Sequence, residues 1–152
     1  MTKKILIISL ILFLSACDKD KDNETPIPSK TELLTAGSQK DWYIFSSTPE
    51  SPCPSSVDDT WTFFADGQFE FDHGTVTEDE GEECGDFVNL EGTWEFSSDE
   101  KNITIVALRA KGSTEDFDTP VTIGSGVITE LTEGRMVVTS PDGEESYELR
   151  PR

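Results

Sequence analysis

The chain has 152 residues, 34% of them hydrophobic and 28% charged, a composition that fits one globular domain and not two. Twelve Lys and Arg stand against 31 Asp and Glu, a net charge of -19, and that balance opposes binding to nucleic-acid phosphates or to anionic membrane surfaces. One His, three Cys and no glycine-rich phosphate loop leave few catalytic or cofactor-binding signals.

Residues 1–16 begin with Lys3 and Lys4, continue as an apolar run from Ile5 to Leu14, and end in small residues, which is the pattern of a removable secretion signal. The run holds about ten residues where a helix crossing the hydrocarbon core needs roughly twenty, so a permanent span is not expected. Leu14-Ser15-Ala16-Cys17 resembles the lipobox of bacterial lipoproteins. That resemblance implies cleavage before Cys17, a diacylglycerol on its sulfur, and a membrane partner reached through that lipid. The alternative is an ordinary secretory signal with an incidental cysteine. Residues 17–28, from Cys17 to Pro28, are polar and charged and end in two prolines. They are too poor in apolar groups to offset chain ordering and read as a flexible tether. Acidic residues directly after a lipidated cysteine resemble a surface-export signal in some Gram-negative groups, and an inner-membrane retention signal in others. The expected address is the outer membrane, with the domain at the cell surface.

The domain is expected over 29–152. Ser29, with Glu32 three residues later and Leu33-Leu34 before Gly37, predicts one short helix with a capping box. Beyond Gln39, eight runs rich in β-branched and aromatic residues are separated by Gly, Pro and Asp, at approximately 41–47, 59–64, 68–73, 90–97, 102–109, 120–131, 135–140 and 144–150. That is an all-β signature.

Register follows from parity. A three-residue loop over Ala65, Asp66 and Gly67 puts Phe63 opposite Phe69 and Trp61 opposite Phe71, with Gly67 left-handed after a type I turn. Leu90, Trp94 and Phe96 share a face with Ile103 and Ile105 across a turn at 98–101. Met136 and Val138 join Tyr147 and Leu149 when the last loop is even, as the four residues Ser140-Pro141-Asp142-Gly143 allow. Consecutive hairpins throughout predict an eight-stranded up-and-down antiparallel barrel, which has no open edge.

If Cys17 is acylated, Cys53 and Cys84 remain, and in a secreted chain they read as one disulfide between the loops at 48–58 and 73–89. The second loop carries Glu78, Asp79, Glu80, Glu82, Glu83 and Asp86. It lacks the ligand spacing of a calcium-binding hand, so a solvated acidic loop with no metal is expected. No motif places a nucleophile beside His73, and the chain reads as non-catalytic and without cofactor.

The stretches Glu32 to Phe45, Trp61 to Phe71 and Glu91 to Ile105 contain a Leu-Leu segment, a Trp-led strand, an aromatic-Asp-Gly-aromatic hairpin and a Gly-x-Trp-x-Phe strand. Together with the lipobox and tether they resemble small bacterial lipoproteins of the lipocalin-like domain family. The resemblance implies a lipocalin-type barrel. Trp42, Trp61, Phe63, Phe69, Phe71, Trp94 and Phe96 then either line a ligand cavity or fill a solid core, and the size of the domain favours the filled core. The first outcome implies a carrier of a small apolar or glycan ligand. The second implies a surface interaction protein that meets an extracellular protein or glycan.

Overall fold

The computed structural model describes residues 26–49, 59–74 and 89–152. Cys17, Cys53, Cys84 and the acidic side chains from Glu78 to Asp86 lie outside them, as do the expected signal peptide and nearly all of the tether.

The helix α1 (Lys30–Thr35) starts where the capping pattern places it. Ser29 Oγ accepts the Glu32 amide at 3.1 Å and the Ser29 amide donates to Glu32 Oε2 at 2.7 Å, so two backbone donors that the helix cannot satisfy are used reciprocally. Left-handed Ala36 and Gly37 end the helix after Leu34 and Thr35 are buried.

Eight strands follow among the described residues: β1 (Gln39–Thr48), β2 (Thr60–Phe64), β3 (Gln68–Asp72), β4 (Leu90–Phe96), β5 (Asn102–Ala110), β6 (Val121–Leu131), β7 (Met136–Thr139) and β8 (Ser146–Pro151). Each pairs antiparallel with the next, and β1 also pairs with β8, closing the barrel. Among the described residues, the expected eight-stranded up-and-down barrel with one short helix is what forms. Full closure leaves no strand edge to template aggregation.

The β2–β3 register pairs Phe63 with Phe69 and Trp61 with Phe71. The three-residue loop is closed by the Gly67 amide donating to Phe64 O at 3.1 Å, with Gly67 at φ +86. A Cβ on Gly67 would meet only an ordinary contact, 3.5 Å from Trp94 O. The cost of a side chain there is therefore conformational. Gly67→Val is expected to lower the unfolding free energy by about 2 kcal/mol, with a smaller loss for Gly67→Asn, whose side chain tolerates the left-handed region. Equal urea midpoints for the two variants would refute that account.

The β4–β5 turn falls at 98–101, with the Ser97 amide donating to Asn102 O at 3.0 Å, and pairs Trp94 with Ile105 and Phe96 with Ile103. The final hairpin differs from expectation by one residue. Ser140 and Glu145 close the ladder through a 2.8 Å backbone bond, and Ser140 Oγ accepts the Glu145 amide at 2.9 Å. The four-residue loop is thus 141–144 and β8 starts later than the apolar pattern suggests. Parity is unchanged, so Met136 opposes Leu149 and Val138 opposes Tyr147.

Strand direction separates the two ends. The helix and the turns at 65–67, 97–101 and 132–135 lie at one end, and Trp42, Phe63, Phe69, Leu34 and Met136 are packed there at 2% exposure or less. Trp42 Nε1 donates to Leu34 O at 2.9 Å, satisfying a buried donor. Lys40 spans the seam: its Nζ donates to Leu33 O at 3.1 Å and to Glu133 O, and it lies 4.3 Å from the centre of the Trp42 ring. Partial burial lowers the Lys40 pKa, against a smaller opposing pull from Glu133. The helix is thereby fastened across the barrel mouth as a plug.

Candidate functional site

At the opposite end the packing of the described residues changes. A cavity of about 570 Å³ enters the interior from this side, within the roughly 300–1,000 Å³ range of small-molecule sites. Its deeper wall is formed by Phe63, Ile103, Ile105, Met136 and Leu149 and its outer wall by Ile44, Trp61, Phe71, Leu90, Ile123 and Val138. Polar groups come from the β6 backbone region at Gly124 and Ser125 and from the β7–β8 hairpin, as Ser140, Glu145 and Tyr147.

Each element contributes through the same period of two. Inward positions of β5 (Ile103, Ile105) face inward positions of β4 and β6, and Gly124 lies opposite Ile105. Gly124 opens the space: a Cβ there would come 3.3 Å from Ile105 Cδ1. Four bulges, at Ile44/Ser46, Glu91/Gly92, Ile105/Val106 and Ile128/Glu130, interrupt the ladders. Bulges bend and twist the strands that carry them, which is how a closed sheet acquires an uneven interior.

Of the seven aromatic residues expected to line a cavity or fill the core, Trp61, Phe63 and Phe71 are on the cavity wall. Trp42, Phe69, Trp94 and Phe96 are in the packed half, where Trp94 Nε1 donates to Phe64 O at 2.9 Å and Phe96 meets Trp94 edge-on at 5.1 Å. The favoured solid core is therefore corrected to a core solid in one half. The aromatic bulk is concentrated near the helix, leaving branched aliphatics and Gly124 to cover the other half incompletely. Trp61 meets Phe71 at 5.1 Å and 64°, and its indole N–H finds no acceptor among the described residues.

Sequence reasoning did not single out Ile44, Ile123, Val138, Tyr147 and Glu145 as wall residues. The signal for Val138 and Tyr147 was present, because both sit on the inward parity of their strands, but parity does not reveal height along the barrel axis. Tyr147 Oη donates to Glu145 Oε2 at 2.7 Å. That carboxylate, and then partial burial, push the Tyr147 pKa up, so the phenol keeps its proton at neutral pH.

His73, beside which no motif in the sequence places a nucleophile, lies at the end of β3 with its Nδ1 2.8 Å from Asp59 Oδ1. Its ring stacks on Phe71 at 6.0 Å and 28°, and its amide donates to the Asn89 side chain at 2.8 Å. This arrangement ties the start of β2, the end of β3 and the start of β4 together at the end opposite the helix. A second cleft, of about 520 Å³, runs beside α1 past Glu32, Lys40 and Glu133. Among the described residues its cation is Lys40, already committed to the carbonyls of Leu33 in the helix and Glu133 in the β6–β7 turn.

The lipocalin-like domain family matches residues 39–138. Among curated proteins the chain has no significant match. A solved NMR structure of a protein from Bacteroides uniformis ATCC 8492 is 20% identical, with a TM-score of 0.41, and the superposition covers 81% of this chain and 91% of that one. The family match spans β1 to β7, from the first closing strand to the hairpin that borders the cavity, and the chain belongs to the lipocalin-like domain family.

Proposed function

We propose that this protein is a non-catalytic, lipid-anchored component of the cell envelope whose barrel holds one small, largely apolar ligand. The observation that carries the binding role is the largely apolar cavity of about 570 Å³ that the described residues enclose toward the end opposite the helix plug. A ligand there would rest on aliphatic and aromatic surface, with a few polar groups at the rim to orient it. The test uses N-phenyl-1-naphthylamine, a neutral apolar fluorophore, titrated into the full chain. Saturable one-to-one binding is expected, weakened at least tenfold by Gly124→Leu, whose side chain enters the cavity and needs only the end of Ile105 to give way. Absence of saturable binding, or binding indifferent to Gly124→Leu, would end the carrier reading.

The anchoring half of the proposal rests on Leu14-Ser15-Ala16-Cys17 and the polar stretch after it. More than one acyl chain at Cys17 gives stable membrane attachment, where one alone is marginal. With Cys17→Ala, loss of metabolic labelling by a palmitate analogue and transfer to the soluble fraction are expected, and retention of both label and membrane attachment would refute it. A Cys53–Cys84 bridge belongs to the same proposal. It is supported by the Asp59–His73 contact, which draws the roots of the two cysteine-bearing segments together.

A further inference from the structure

We infer that the cavity selects a cationic amphiphile, an apolar body with a protonated amine head, over fatty acids and other anionic lipids of the same size. This inference rests on the ligand-binding reading above and adds the charge of the ligand. Among the described residues on the wall, Glu145 is the charged side chain, and no Lys, Arg or His stands with it. Its position is fixed from three sides. The Ser140 amide donates to its carbonyl at 2.8 Å, its own amide donates to Ser140 Oγ at 2.9 Å, and Tyr147 Oη donates to its Oε2 at 2.7 Å. No donor among the described residues meets Oε1, which is left for a ligand.

A head group entering beside Ser140 and Tyr147 therefore meets a held carboxylate. An ammonium gains a charge-assisted hydrogen bond there. A carboxylate or phosphate meets like charge at the cavity rim, where Glu145 is exposed, and finds no cation to pair with among the described wall residues. The surrounding field has the same sign. Glu115, Asp118, Asp142 and Glu144 belong to the described loops of this end. Cations among the described residues of this end are already engaged: Lys111 Nζ is 2.8 Å from Glu70 and 3.7 Å from Asp72, Arg109 bridges Glu91 at 2.8 Å and Asp116 at 3.3 Å, and Arg152 Nη2 donates to Asp59 O at 3.3 Å. A concave low-dielectric site rimmed by one sign concentrates the opposite ion and speeds its arrival.

Decylamine, decanol and decanoate share one chain length and differ at the head, so their displacement of N-phenyl-1-naphthylamine from the full chain at pH 7 and low salt isolates that difference. Decylamine is expected to displace the probe at a concentration at least tenfold below decanoate and at least threefold below decanol. Glu145→Gln, an exposed turn position whose backbone bonds are retained, should bring the three within about threefold. Raising sodium chloride to 0.5 M should narrow the wild-type gap, as screening requires. Probe binding with decanoate equal to or better than decylamine, or a preference unchanged in Glu145→Gln, overturns the inference and leaves the carrier reading standing. Failure of the probe to bind at all overturns the carrier reading itself.

Discussion

Gly92→Ala is expected to lower the unfolding free energy by about 3 kcal/mol, a large loss for the addition of a single methyl group. A Cβ at this position would lie 1.9 Å from Val106 O, 2.9 Å from Val106 C and 3.0 Å from Ala107 Cα. All three are backbone atoms, so no rotamer change relieves the overlap and the two strands must part. They are held together on both sides. Below Gly92 the β4–β5 ladder runs in register from Ala107 to Ile103, and above it a bulge lets Glu91 pair with Arg109. The Glu91 carboxylate accepts from Arg109 Nε at 2.8 Å and from the Gly112 amide at 3.1 Å, both of which hold its pKa low. Gly134→Ala is the control, since a Cβ there meets nothing within 4 Å. Urea denaturation should leave Gly134→Ala within about 0.5 kcal/mol of the parent. Similar midpoints for the two variants would show that the close β4–β5 approach is not a feature of the folded protein.

Trp42→Ala should cost about 3–5 kcal/mol, the usual range for deleting a buried Trp or Phe. The ring is 0% exposed and packs with Leu34 and Phe63, also 0% exposed, at the plugged end. Two interactions beyond burial depend on it: the 2.9 Å bond from Nε1 to Leu34 O, and the Lys40 ammonium over its ring. Trp42→Phe separates these effects. It keeps most of the apolar contact and loses the indole donor, leaving the Leu34 carbonyl of the last helical turn without it, so a loss of about 1–2 kcal/mol is expected. If both variants unfold at the parent urea concentration, the helix does not plug the barrel. If Trp42→Phe matches Trp42→Ala, the hydrogen bond rather than the packed volume secures the helix.

The sequence by itself determined the strand number, the antiparallel meander and most of the register. Those follow from local rules: side chains alternate with a period of two, a loop's length fixes which residues oppose, and Gly67 or Ser29 with Glu32 fits only certain backbone geometries. The one slip, in the β7–β8 loop, came from a side-chain bond of Ser140 that extended the ladder without changing parity. Whether the interior is filled was decided only by the tertiary structure. Parity says that Trp42, Phe69, Trp94 and Phe96 point inward, as do Ile105, Val138 and Tyr147, but not at what height each arrives. Height depends on strand tilt and on where bulges shift one strand against the next, and both are set by closure of β1 on β8 across the whole chain. Closure gathers the first group into the core cluster that includes Leu34 of the helix and leaves the second around open space. It also carries Glu145, an unremarkable turn residue in the sequence, to the rim of that space.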